Sequence, residues 1–128
     1  MSKSKILVID DEEDFAFFLK ANLEARGQYT VKVANSGADG LDIAGQWRPH
    51  LIVLDIIMPG MDGFEVLRQL KEGERTMTVP VLMLTARHDD ESKVAAAGLY
   101  CEGYFAKPVK IDDLHARIRK ILDMRDVK

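Results

Sequence analysis

The sequence predicts an α/β fold in which a five-stranded parallel sheet carries helices on both faces. Strands that are buried on both faces are apolar and β-branched throughout, as in KILVI at 5–9 and LIVLD at 51–55. Apolar residues recur at helical spacing between such runs, and this alternation implies parallel pairing through crossover helices. We assign one domain to residues 1–128, a length that can bury a sizeable core.

The first half of the chain contains two strand–helix pairs. The strand at 5–9 leads into a helix that Gly27 ends. The apolar residues of this helix are Phe15, Phe18, Leu19 and Leu23. A second strand at 29–34 precedes Ser36, a residue type that caps helices. The helix after this cap carries Ala38, Leu41 and Ala44.

The second half repeats the alternation three times. The strand at 51–55 is followed by a helix whose apolar residues are Phe64, Val66, Leu67 and Leu70. Pro80 introduces a fourth strand, VLMLT, and a shorter helix is predicted around residues 90–97. A brief strand at 104–106 precedes the last amphipathic helix, whose apolar residues are Ile111, Leu114, Ile118 and Ile121. The sequence therefore predicts a doubly wound sheet with five strands and five helices.

Composition excludes several classes of function. The net charge is −3, and the bases near the C terminus alternate with acids, which is typical of a solvated helix face rather than a nucleic-acid interface. A single cysteine, Cys101, excludes an internal disulfide, and no two histidines have metal-ligand spacing. No stretch approaches the roughly 20 apolar residues of a membrane span. The start, MSKSK, shows no signal peptide, and we expect a cytoplasmic protein.

Polar residues stand at the points where the predicted strands end. Asp10 and Asp11 end the first strand, Asp55 ends the third and Thr85 the fourth, while Lys107 follows the fifth. The carboxyl ends of parallel strands share one edge of the sheet, and ligands bind there near a switch in strand order. This location also explains an Asp after a fully apolar run, because a buried carboxylate without partners is strongly disfavoured.

The chemistry of this set favours a divalent cation and phosphoryl transfer. Crowded carboxylates repel one another, and Mg²⁺ relieves that repulsion because it prefers oxygen ligands. A carboxylate beside the metal can attack a phosphoryl group and form an acyl phosphate. Such transfer depends mainly on positioning and on neutralising the spreading charge. Lys107 supplies positive charge for this purpose, and Thr85 supplies a hydrogen bond.

Each of these residues also has a purely structural interpretation. Asp10 and Asp11 favour the start of a helix by their charge. Thr85 is a β-branched residue suited to a strand, and Lys107 precedes a proline of the kind found in turns. The four together, at the ends of different strands, favour the site over these separate explanations.

Four segments resemble the receiver domain of two-component response regulators, in order and over almost the whole chain: ILVIDDE, LIVLDIIMPGMDG, VPVLMLTA and YFAKP. The resemblance implies a flavodoxin-like receiver fold and a phosphoprotein that catalyses its own phosphorylation and dephosphorylation without turning over another substrate. It implies that Asp55 is the phosphoacceptor and that Asp10, Asp11, Asp55 and the backbone carbonyl of Ile57 hold Mg²⁺.

The resemblance also implies a switch. Thr85 and Lys107 would bind the phosphoryl oxygens, and the bond from Lys107 to the next residue, a proline, would be cis. Tyr104 would turn inward with Thr85 and alter the face formed by the fourth helix, fifth strand and fifth helix, although a static strand aromatic is the alternative. A sensor histidine kinase or histidine phosphotransfer protein would donate the phosphoryl group, and the altered face would bind an unidentified protein.

Some positions depart from the family pattern. Tyr100 stands where receivers usually have a glycine, which predicts a different path for the loop after the fourth helix. Ile57 and Arg87 flank the site, two residues beyond Asp55 and Thr85. Because an apolar side chain cannot orient an attacking water, we expect a longer-lived phosphoryl group than in an Ile57→Asn variant.

Two interpretations stay open. Phe15, Phe17 and Phe18 are too many rings for one helix stripe, so we hypothesise that part of the cluster docks the phosphodonor, although single exposed rings are common. The chain ends after its last predicted helix, which favours a stand-alone regulator. The alternatives are an interaction module that works without phosphorylation, and the receiver fragment of a longer transcription factor or hybrid kinase.

Overall fold

The computed structural model describes residues 3–85 and 101–126. The strands are β1 (Ser4–Ile9), β2 (Tyr29–Ala34), β3 (Leu51–Asp55), β4 (Val81–Thr85) and β5 (Gly103–Ala106). The helices within these ranges are α1 (Glu13–Glu24), α2 (Gly37–Trp47), α3 (Gly63–Glu72) and α4 (Ile111–Asp126), which we call the C-terminal helix. The helix predicted around 90–97, Arg87 and Tyr100 lie outside the described residues.

All five strands form one parallel sheet in the order β2-β1-β3-β4-β5, which confirms the predicted doubly wound architecture. The strand order reverses at β1, because β2 and β3 lie on opposite sides of it. The carboxyl ends of β1 and β3 therefore flank the crevice in which such sheets bind ligands. Ile9 pairs with Leu54 in this register, so Asp10 and Asp55 come next to each other beyond the pairing.

The sheet separates two hydrophobic cores. Ile6 and Val8 of β1 pack into a core with α1 and the C-terminal helix. The alternate residues Leu7 and Ile9 pack into a second core with α2 and α3. Every residue of β3 and β4 is buried as well. Burial on both faces explains why these strands are continuously apolar rather than alternating.

The sheet-facing side of α2 differs from the predicted one. Ala38 is exposed, and the buried residues of the helix are Gly37, Gly40 and Ala44. A Cβ at Gly40 would lie 2.5 Å from Cδ1 of Ile9, so only a glycine lets the helix approach the sheet so closely. The prediction of Ala38 in the apolar stripe was therefore wrong.

Local signals define the ends of the helices. The hydroxyl of Ser36 accepts a hydrogen bond from the backbone N–H of Asp39 at 3.2 Å, which confirms the predicted cap of α2. Asp62 caps α3 in the same way and accepts from the Glu65 N–H at 3.0 Å. Gly27 follows α1 with a φ of +80°, a conformation that glycine adopts without strain. Within the described ranges, every helix is too short or too polar to span a membrane.

Candidate functional site

Three carboxylates meet at the carboxyl edge of β1 and β3. One oxygen from each of Asp10, Asp11 and Asp55 lies within 4.8 Å of the others. Asp10 is fully buried and Asp55 is 3% exposed, whereas Asp11 is half-buried. The structure thus brings together the three carboxylates that the strand ends predict, and it excludes water from two of them.

The two oxygens of Asp10 have different surroundings. Oδ1 accepts a hydrogen bond from the backbone N–H of Glu12 at 2.9 Å. Oδ2 is buried and lies 3.1 Å from Nζ of Lys107, yet it accepts no well-directed hydrogen bond from the described residues. A buried carboxylate oxygen that lacks donors, beside two further carboxylates, suits a hard divalent cation such as Mg²⁺.

The ammonium of Lys107 lies among the carboxylates. Its Nζ is 2.5 Å from Oε1 of Glu12, 3.1 Å from Oδ2 of Asp10 and 3.6 Å from Oδ2 of Asp55. It also lies 4.5 Å from the ring centroid of Phe15, within the range of a cation–π contact. Among the described residues, this one ammonium is therefore shared by three carboxylates.

The remaining predicted site residues surround this pocket. Thr85 ends β4, is fully buried, and accepts a hydrogen bond at its backbone carbonyl from the Lys107 N–H at 2.8 Å. The bond between Lys107 and the following proline is cis, as the resemblance implies. The Ile57 N–H donates to the Asp55 carboxylate, while the Ile57 side chain is exposed. Tyr104 lies on β5 with 42% of its surface exposed.

Burial sets the electrostatics of the site. Burial and then the Asp10 charge raise the pKa of Asp55 to about 7, although Lys107 and the Ile57 N–H oppose this shift. Burial also raises the pKa of Asp10. Burial alone would lower the pKa of Lys107, but the nearby carboxylates of Glu12, Asp10 and Asp55 outweigh that effect and raise it. The positive charge that the described residues place near Asp55 and Asp10 is therefore too small to keep the pKa of either carboxyl at its ordinary value.

Asp62 and Gly63 connect the end of β3 to the start of α3. A Cβ at Gly63 would lie 2.4 Å from the backbone oxygen of Asp55, so the start of α3 packs directly on the end of β3. The Gly63 N–H donates to the Ile56 carbonyl at 2.7 Å across this contact. The pair of residues therefore fixes the backbone that carries Asp55. The signal was present, since an Asp before an apolar helical pattern is typical of a cap.

The phenylalanines of α1 form a patch beside the pocket. The rings of Phe15 and Phe18 are 6.4 Å apart, and the Phe15 ring contacts Lys107. Phe17 is 67% exposed and Phe18 is 45% exposed. The helix thus presents two rings to solvent within a few residues of the acidic cluster.

Sequence comparison identifies relatives of the whole described fold. The model of the response regulator receiver domain matches residues 6–119. The chain is 38% identical over 128 residues to the uncharacterized transcriptional regulatory protein YkoG of Bacillus subtilis, covering all of this chain and 55% of that protein. It is 39% identical to the alkaline phosphatase synthesis transcriptional regulatory protein PhoP of the same organism, covering 96% and 50%. The chain therefore spans about half the length of these curated relatives.

Solved structures agree with this relationship. A CheY-like receiver domain protein from Methanospirillum hungatei has a TM-score of 0.88 at 28% identity, covering 98% of both chains. The chemotaxis protein CheY4 of Vibrio cholerae has a TM-score of 0.85 at 27% identity, covering 94% of this chain and 99% of that one. The receiver domain of a Syntrophus aciditrophicus histidine kinase has a TM-score of 0.86 at 29% identity, covering 98% and 94%. The chain belongs to the receiver domain family of two-component response regulators, whose members are phosphoacceptors that bind Mg²⁺ at an acidic pocket.

Proposed function

We propose that the chain is a phosphoacceptor switch in which Asp55 receives a phosphoryl group from a phosphohistidine. The donor would be a sensor histidine kinase or a histidine phosphotransfer protein. The observation that supports this most strongly is the position of Asp55, buried at the switch point of the sheet beside Asp10, Asp11 and Lys107. No comparison names the donor, so its class rests on membership of the family.

In the proposed reaction an oxygen of Asp55 attacks phosphorus. A new P–O bond forms, the P–N bond to the donor imidazole breaks, and the imidazole keeps the electron pair and takes a proton from water. Negative charge spreads over the phosphoryl oxygens during this transfer. Lys107, 3.6 Å from Asp55, would neutralise part of that charge, and the hydroxyl of Thr85 would donate a hydrogen bond to the phosphoryl group.

Asp10, Asp11, Asp55 and the backbone carbonyl of Ile57 would hold Mg²⁺. The ion would neutralise the attacking carboxylate and the phosphoryl oxygens, which favours their approach. The donor-poor Oδ2 of Asp10 supports this assignment, and so does the raised pKa of Asp55. Added positive charge would lower the pKa of Asp55 and so increase the fraction of nucleophilic carboxylate at neutral pH.

The switch would connect this pocket to the outer surface of β5. Thr85 ends β4, and Tyr104 lies on the neighbouring strand with its ring partly in solvent. If Thr85 shifts towards the phosphoryl group, space opens beside β5 into which the Tyr104 ring would turn. The face that includes β5 and the C-terminal helix would then bind a protein partner differently before and after phosphorylation.

Acetyl phosphate and Mg²⁺, followed by a phosphate-affinity gel, provide the direct test. The parent protein is expected to show a retarded band that EDTA prevents and that neutral hydroxylamine, which cleaves acyl phosphates, removes. Asp55→Ala is expected to show no band, whereas Asp123→Ala, which changes an exposed acid of the C-terminal helix outside the pocket, keeps it. A parent protein that stays unmodified would instead favour an interaction module that works without phosphorylation.

The exposed rings of α1 suggest where a protein donor would dock. Alanine at Phe17 and Phe18 is expected to slow transfer from the cognate kinase and to leave modification by acetyl phosphate unchanged. The small donor serves as the control, because it needs no protein interface. Unchanged transfer from the kinase would remove the docking hypothesis and leave these rings as ordinary surface residues.

The length of the relatives favours a second candidate for the output. The chain spans about half of proteins whose names describe transcriptional regulators, so the same phosphoacceptor could control an attached DNA-binding domain. An immunoblot of the endogenous protein distinguishes the two arrangements. A band at 14.4 kDa supports the stand-alone regulator, and a band near twice that mass supports the attached domain.

A further inference from the structure

We propose that Glu12 is a positioning residue that latches Lys107 in the unphosphorylated protein, so that this contact must break before Lys107 can serve the phosphoryl group. The inference rests on the proposed function, because it concerns the regulation of the same site. Its basis is the contact of 2.5 Å between Oε1 of Glu12 and Nζ of Lys107.

Glu12 occupies an unusual position for this contact. It is the N-cap residue of α1, where a side chain usually accepts a hydrogen bond from the first helical N–H groups. The Glu12 side chain makes no such bond. Its carboxylate instead points to Lys107, while its backbone N–H donates to Oδ1 of Asp10. Glu12 therefore connects Asp10 to Lys107, and its side chain does not cap α1.

The three acidic partners of Lys107 differ in how easily they can leave. Asp10 and Asp55 are buried, so neither can exchange the ammonium for water. The Glu12 side chain is 61% exposed and can swing into solvent at little cost. Of these three contacts, the one to Glu12 is also the shortest. Glu12 is therefore the partner that a phosphoryl oxygen would replace.

In the unphosphorylated protein, Lys107 also contacts an aromatic ring. The Phe15 ring lies 4.5 Å from Nζ, so loss of the Glu12 contact leaves Lys107 over an aromatic face at the mouth of the pocket. The lysine thus stays close to Asp55 when Glu12 is replaced. We therefore expect replacement to release Lys107 towards the phosphoryl group rather than to disorder it.

The contact between Glu12 and Lys107 is expected to slow phosphorylation of Asp55 more than it changes hydrolysis of the phosphoryl group. The Glu12 contact stabilises the unphosphorylated protein, so its removal raises the rate of phosphorylation. In the phosphorylated protein Lys107 has already left Glu12, and hydrolysis should change less. Exposed ion pairs are worth only a fraction of buried ones, so we expect Glu12→Gln to accelerate modification by acetyl phosphate about two- to fivefold.

Two matched variants separate the contact from simple charge. Glu12→Asp keeps the negative charge but is one methylene shorter, so it loses the contact and is expected to react as fast as Glu12→Gln. Glu13→Gln removes a charge from the next exposed residue, which is not among the acidic partners of Lys107 in the described structure, and is expected to react at the parental rate.

Rates of labelling and of hydrolysis, measured by the phosphate-affinity gel, decide between the outcomes. Faster labelling in both Glu12 variants, with hydrolysis changed less, supports the latch. Parental labelling in both variants overturns it, and so does an equal gain in Glu12→Gln and Glu13→Gln with none in Glu12→Asp. A parent protein that is not labelled at all contradicts the proposed function instead. Because Glu12 is exposed and makes no capping bond, the variants are expected to fold.

Discussion

The two ends of the parallel sheet differ in how their charges are paired. At the amino end, the Lys5 N–H donates to Nδ1 of His50 at 2.8 Å, and the Lys5 ammonium donates to the Trp47 carbonyl at 2.7 Å. The hydroxyl of Tyr29 lies 2.9 Å from Nδ1 of His115. The polar groups at this end therefore satisfy one another by hydrogen bonds, and these bonds join β1 and β2 to neighbouring elements.

At the carboxyl end the pairing is incomplete. Among the described residues, Asp10, Glu12 and Asp55 share the ammonium of Lys107. Asp11 adds a further carboxylate to the cluster. Buried charge without full compensation costs stability. One end of the sheet is thus completed by its own side chains, whereas we propose that a cation and a phosphoryl group complete the other.

The largest expected effect follows from removal of Lys107, the one cation that the described residues place among these carboxylates. Lys107→Ala is expected to slow modification of Asp55 by acetyl phosphate about 100-fold, because it removes preorganised charge from the transferring group. Lys5→Ala, the matched change at the amino end, is expected to leave the rate unchanged. Equal losses in the two variants would show that the lysine supports the fold rather than the reaction.

The second prediction concerns stability without metal. The pKa of Asp55 is about 7 in the folded protein against an ordinary value of 3.8, so the folded state binds the additional proton between these values. Its contribution to the free energy of unfolding is therefore fully present below about pH 4 and lost as the pH rises through 7. Asp55→Asn removes the charge and is expected to stabilise the metal-free protein by about 2 kcal/mol at pH 8.

Urea unfolding in EDTA measures this effect. Asp112→Asn is the control outside the acidic cluster, because Asp112 is exposed and pairs with Arg26, and loss of its charge is expected to change stability by less than about 0.5 kcal/mol. Magnesium should close the gap between the parent and Asp55→Asn by stabilising only the parent. A less stable Asp55→Asn protein would mean that the carboxylate is already compensated.

The acidic cluster at the carboxyl end of the sheet could be predicted from the sequence because of one rule of topology. Parallel strands end at the same edge, so Asp10, Asp55 and Lys107 were placed together although they are far apart along the chain. The apolar runs predicted the strands because these are buried on both faces. Both arguments use the backbone alone and need no knowledge of side-chain conformation.

The remaining features depend on contacts that no pattern records. The sequence shows only that no two histidines have metal-ligand spacing, whereas in the structure His115 contacts Tyr29, 86 positions away, and His50 bonds to Lys5. The close approach of α2 depends on Gly40 having no side chain, whereas the apolar pattern registers only side chains that are present. The contact of Glu12 with Lys107 depends on one rotamer. The roles given to Ile57 and Tyr104 stay predictions.

The third prediction concerns the pH dependence of magnesium binding at the carboxyl end of the sheet. Magnesium needs the ionised carboxylate, and Asp55 is protonated below its pKa of about 7. The affinity for Mg²⁺ should therefore fall as the pH is lowered, by about tenfold in Kd between pH 8 and pH 6. Titration calorimetry at both values measures it. Asp55→Asn should bind more weakly with a flatter pH dependence, and equal Kd values for the parent would contradict the raised pKa.

The smallest expected effect concerns Tyr29, at the amino end of the sheet. Tyr29→Phe removes the hydroxyl that bonds to His115 and leaves a ring nitrogen in a partly buried contact. We expect a loss of about 1 kcal/mol in the free energy of unfolding, measured by urea, because this is the usual contribution of one such bond. Phosphorylation of Asp55 should keep its parental rate, since Tyr29 begins β2 at the opposite end of the sheet. If the rate also fell, the two ends would be coupled, and the C-terminal helix that carries His115 would be the connection to examine.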